Sequence, residues 1–147
     1  YARPVHPLMR LNPASPLFRK KIVLAETGVW DWVRTGADSE FAERLKWVFG
    51  AKASIQIKKP LTFGAHRADS LMTAPETGYD SNGVSPARLA YWEAWRSWHI
   101  ACLNSGKAPL IASDGQGSRP FPVPHNLMVR AEKIQICSDY IKALKSA

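Results

Sequence analysis

His99 and Cys102 lie three residues apart in "YWEAWRSWHIACL". On a helix that spacing sets an imidazole and a thiol one turn apart on the same face. Two chemistries use such a pair. A zinc site needs at least three protein ligands, and the remaining soft candidates, Cys137, His6, His66 and His125, are scattered along the chain. A cysteine–histidine nucleophile needs a cleft and a third group to orient the base. Both residues here fall inside a tryptophan-lined arc, where a buried thiol stays protonated and inert. "SDGQGS" and "NSGK" invite a phosphate-loop reading, yet neither has the glycine and lysine spacing that a phosphate cradle requires. Glu40 and Glu43 form the tightest carboxylate pair on a helix. They occupy its first turns, where the helix dipole favours acids without any catalytic role. The expectation is no enzyme, with no catalytic residue, cofactor or metal.

The elements that would carry these residues are mostly helical. "NPASPLF" offers Ser15 as N-cap and Pro16 at the first helical position, for a helix running to about Glu26. "VWDWV" predicts a further helical turn or two. "GADSEFAERLKWVFGA" predicts a helix capped by Asp38 or Ser39 and closed by Gly50, with Phe41, Leu45, Val48 and Phe49 along its apolar stripe. Trp47 points well off that stripe. "ASIQIKK" alternates with period two before Pro60 and predicts one short strand. Residues 60–84 are rich in turn formers and predict a long loop. Ser85-Pro86 starts a helix that runs to about Asn104, and residues 113–125 break into a glycine-serine turn and a polyproline-like strip. A last helix starts at Asn126, with Leu127, Ala131, Ile134, Cys137, Ile141 and Leu144 on one side. The expected fold class is mostly α. It is a small irregular domain of about four helices over residues 16–147, with an extended proline-rich basic arm over 1–15 and at most one short strand or hairpin.

With 147 residues the chain can bury one ordinary core. Its charged fraction of 22% against 46% hydrophobic argues against wholesale disorder. The longest uncharged runs have ten residues, half of what a spanning helix needs, so no transmembrane segment is expected. Two cysteines are too few for a disulfide framework and suggest a reducing compartment. The net charge of +8 favours an acidic partner. The first 25 residues carry Arg3, Arg10, Arg19, Lys20 and Lys21 and no acid before Glu26. Together with a start at Tyr1, this suggests a processed N-terminus left after organelle import.

The helix containing Tyr91 to Trp98 has an unusually wide apolar arc. Leu89, Tyr91, Trp92, Trp95, Trp98, His99, Ile100, Cys102 and Leu103 cover roughly 200°, twice what a surface helix needs to face its core. Three tryptophans can bury roughly 450–750 Å², about 11–19 kcal/mol gross. The helix must therefore be covered on two sides, one by its own core and one by another chain. Candidate partner-binding residues are Trp47, Trp92, Trp95 and Trp98 with Arg96, and Trp30, which with Trp32 would point opposite ways on a helix. The competing reading is that all of these are core.

Between Arg44 and Ala68 six cations and no acid occur: Arg44, Lys46, Lys52, Lys58, Lys59 and Arg67. They are candidates for an anionic partner: a phosphate backbone, anionic lipid headgroups or an acidic subunit. No nucleic-acid-binding motif accompanies them. In composition the chain, basic, tryptophan-rich and proline-armed, resembles accessory subunits of large mitochondrial assemblies. The resemblance implies a non-catalytic structural subunit of an inner-membrane complex, such as a respiratory chain complex or ATP synthase, peripheral to the membrane and partnered by other protein subunits. An RNA-binding structural protein of the mitochondrial ribosome is the alternative.

Overall fold

The computed structural model describes residues 16–55, 74, 78–80, 83–112, 119–129, 132–136 and 139. The chain is mostly helical, as its periodicities imply. Among the described residues it forms α1 (Lys20–Thr27), α2 (Ala37–Phe49) and α3 (Pro86–Asn104), with a short antiparallel hairpin of β1 (Tyr79–Asp80) and β2 (Gly83–Val84). Residues 132–136 and 139 are helical as well.

α1 begins later than Pro16, because Leu17 is 99% exposed and nothing there packs a first turn. The expected cap Ser15 lies outside the described residues. Gly28 ends α1 with φ 74°, its amide bonded to Leu24 O at 3.1 Å. The chain then runs beside Ile111: Val29 N donates to Ile111 O at 3.0 Å and Ile111 N to Thr27 O at 3.1 Å. A Cβ on Gly28 would lie 1.7 Å from the Ile111 carbonyl oxygen, so both the dihedral and the space demand glycine.

"VWDWV" is extended, not helical. Val33 bridges to Met128, and Arg34 N donates to Leu127 O at 2.8 Å. These long-range bonds satisfy the backbone in place of helical ones. Gly36, with φ 91°, starts α2 two residues before the expected caps and lets Tyr91 lie close: a Cβ there would be 3.1 Å from the ring. Gly50 closes α2 as expected, its amide on Lys46 O at 2.9 Å. Of "ASIQIKK" only Ala53 lies in a 3-10 turn, Ala51–Ala53, and Ile55 is exposed; Gln56 onward lies outside the described residues. Most of 60–84 lies outside them too, and its end forms the hairpin.

α3 has the predicted bounds. Ser85 caps it by accepting from Arg88 N at 3.4 Å, and Pro86 fills its first turn. The strip from Arg119 to Val129 returns across α3 and supplies Phe121 and Leu127 to a core with Tyr91 and Trp95. Val33, Trp92, Trp98, Ile111 and Val123 pack around it. The expected last helix does not start at Asn126: His125–Leu127 is a 3-10 turn, and Leu127 is core, not a helix-face residue. Among the described residues beyond Val129, 132–136 and 139 are helical, with Ile134 and Ile136 exposed; Ala131, Cys137, Ile141 and Leu144 lie outside the described residues.

Candidate functional site

α3 has two faces with different fates. Its inner stripe is Arg88, Tyr91, Trp95 and His99, all buried and spaced to point one way. Below this stripe lie two polar networks. Glu40 on α2 accepts from Arg44 Nε at 2.9 Å and from Arg44 Nη2 at 2.8 Å, and its Oε1 is 3.0 Å from His99 Nε2. Arg44 also donates to the carbonyls of Thr27 and, at 2.8 Å, Val29. Glu40 and Arg44 are fully buried and His99 is 1% exposed. His99 Nδ1 is buried with no hydrogen-bond partner among the described residues.

The second network holds Asp31 at one end of the core. Tyr91 Oη donates to its Oδ2 at 3.0 Å and Arg119 Nε to its Oδ1 at 3.0 Å, while Arg119 Nη2 reaches Trp32 O at 3.1 Å. Burial, and then the carboxylates of Asp31 and Glu40, push the Tyr91 phenol far above its ordinary value. Burial likewise raises the Cys102 thiol. The Glu40–Arg44–His99 network is buried and ties α1, α2 and α3 together, while Arg119 carries the second network to the partly exposed edge of the core.

The outer face is the reverse. Leu89 is 48%, Ile100 44% and Leu103 39% exposed. Between them Arg96 is exposed, its guanidinium 4.9 Å above the half-buried Trp92 ring. Leu89, Trp92, Arg96, Ile100 and Leu103 follow one another at intervals of 3, 4, 4 and 3 residues, one continuous stripe about 21 Å long.

The sequence-derived candidates divide accordingly. Trp95 is a correction: it is 2% exposed, packed edge-on to Trp92 and tilted against His99, and belongs to the core. Arg44 is a second correction, since a fully buried guanidinium bonded to Glu40 and two carbonyls is out of reach of an outside anion. Trp98 is half-buried against Phe121 and His99. Trp30 stacks on Phe41 with centroids 4.8 Å apart. Trp47 is exposed, as its position off the α2 stripe requires. Lys46 pairs with Glu43 at 3.1 Å, and Lys52 is exposed. Lys58, Lys59 and Arg67 lie outside the described residues. His99 and Cys102 do share a face, but His99 is committed to Glu40, and among the described residues no three metal-ligating groups converge.

Sequence reasoning missed the two networks. Glu40 and Arg44 carry a local signal, an acid and a base four apart on one helix, which the dipole explanation of Glu40 concealed. Asp31, Tyr91 and Arg119 are separated by 60 and 88 residues and carry none.

One open hollow of about 420 Å³ lies between the extended Val29–Val33 segment and Val129 and Lys133, with Trp30 and Trp32 in its wall. Its wall is mainly apolar, with Asp31 and Lys133 as the charged residues of the lining. No family model, curated protein or solved structure matches the chain.

Proposed function

We propose that this chain is a non-catalytic accessory subunit of a large assembly, docked through the outer stripe of α3. The observation that carries the reading is the contrast on that one helix. Its inner face is fully occupied by its own core, while three large aliphatic side chains, an arginine and part of a tryptophan face outward together. Aromatic and arginine anchors set in an apolar patch are what protein interfaces favour. Trp47, exposed on α2, offers a second anchor.

The assembly in this reading is a mitochondrial inner-membrane complex, a respiratory chain complex or ATP synthase. Its support is the overall basic charge together with the tryptophan- and proline-rich composition of the chain. No helix among the described residues is long and apolar enough to cross a membrane, so attachment in this reading runs through partner subunits. The RNA-binding alternative is weakened by the burial of Arg44 and the pairing of Lys46.

The test is the native mass of the particle carrying this chain in a mild detergent extract, with and without nuclease. A large nuclease-resistant particle containing membrane proteins is expected. Release by nuclease would move the assignment to a ribosome, and migration as a free 16.4 kDa chain would end the docking reading.

A further inference from the structure

The outer stripe of α3 is arranged symmetrically about a charge. Arg96 is its midpoint: Leu89 and Leu103 lie seven residues to either side, Trp92 and Ile100 four. Apart from the Trp92 ring, the Arg96 guanidinium makes no hydrogen bond or ion pair among the described residues, and Glu93, one turn before it on the same helix, is not paired with it. Anything that covers the stripe must bury that charge or neutralise it, because a desolvated cation without an anion is strongly unfavourable.

This requirement selects the occupant. A second copy of the chain fails wherever the whole stripe pairs with itself. Antiparallel pairing that matches Leu89 with Leu103 and Trp92 with Ile100 puts Arg96 against Arg96 on the two-fold axis. Parallel pairing in register also opposes Arg96 to itself. A bilayer fits no better. A helix that lies on an anionic surface flanks its apolar stripe with several lysines or arginines, whereas here the neighbouring exposed positions carry Glu93 and Ser97. A helix fits: residues spaced by three and four present knobs to the holes of another helix, and about 21 Å is four turns of contact.

Resting on the docking reading above, we infer that the outer stripe of α3 receives an amphipathic α-helix of a different protein, with an aspartate or glutamate at the middle of its apolar face set against Arg96. The aliphatic ends supply the contact, and the central ion pair fixes register and excludes self-association.

The test uses zero-length cross-linking in the native particle, rebuilt with the Arg96→Lys variant. A water-soluble carbodiimide condenses an amine with a carboxylate that touches it, and peptide mass mapping then reads which carboxylate joined residue 96. The expected product links residue 96 to an Asp or Glu in another protein, within a peptide bearing apolar residues three or four positions to either side. The Arg96→Gln particle should lack this product, and Arg96→Glu should reduce recovery of the chain in the particle at least tenfold. A link to a second copy of this chain, or an intact particle with no product at residue 96, overturns the inference and leaves docking standing. Ile100-dependent binding of the purified chain to phosphatidylglycerol vesicles overturns it in favour of a bilayer. A chain that migrates alone removes both the inference and the docking reading.

Discussion

Arg44 and Arg96 are both arginines on helices beside a large aromatic ring, and they have opposite surroundings. Arg44 is wholly buried, clamped by both oxygens of Glu40 and by two backbone carbonyls. Arg96 is in water with only the Trp92 ring beneath it. The buried guanidinium has its charge answered by Glu40 within its own chain, so it contributes to the fold. The exposed one leaves its donors for something outside. An arginine's role here follows from whether its charge is answered inside the chain, not from its position in a basic stretch.

That contrast can be broken most sharply at Arg44. Arg44→Met leaves Glu40 buried without a cation and should cost about 3–5 kcal/mol in urea unfolding. A loss below about 1 kcal/mol would mean that the network is not the tie described here. Next comes Gly28→Ala, which forces a Cβ into the Ile111 carbonyl at a positive φ and should cost at least about 1–3 kcal/mol through main-chain displacement.

Tyr91→Phe removes the hydrogen bond to Asp31 and should cost about 1 kcal/mol at neutral pH. It should also remove a pH dependence. The folded chain keeps a phenol proton that the unfolded chain releases above its ordinary value of 10.0. Stability is therefore unaffected by this group below about pH 10 and falls above it, by up to about 1.4 kcal/mol per pH unit. A Tm profile against pH in which wild type and Tyr91→Phe run parallel above pH 10 would contradict the burial of that hydroxyl.

The smallest stability effect belongs to the outer stripe. Ile100→Asp should change unfolding free energy by no more than about 0.5 kcal/mol, while removing the chain from its native particle. If it unfolds the protein instead, the stripe is covered from within and the contrast fails.

Much of this architecture is legible from residue order. Ser85-Pro86 and Gly106 bracket α3, and Gly50 ends α2, because caps and breakers act through neighbouring dihedrals. "VWDWV" was not legible. Its composition suits a helix or a strand equally, and its pairings with Ile111 and Met128 come from segments some eighty residues or more away. Tryptophan count was a poor guide to exposure: Trp95 is core and Trp47 is not, and what separates them is the helix face each occupies.

The sequence by itself determined the helices that local signals define, the excess of apolar surface on α3 and the basic balance of the chain, since each of these depends only on residue type and spacing. Tertiary structure alone decided that the proline strip covers α3 from one side, that Glu40, Arg44 and His99 meet in a sealed network, and that Leu89, Arg96, Ile100 and Leu103 stay in water. Those outcomes depend on which distant segments reach a given helix face first, and solvation there is a property of the assembled volume that no local pattern encodes.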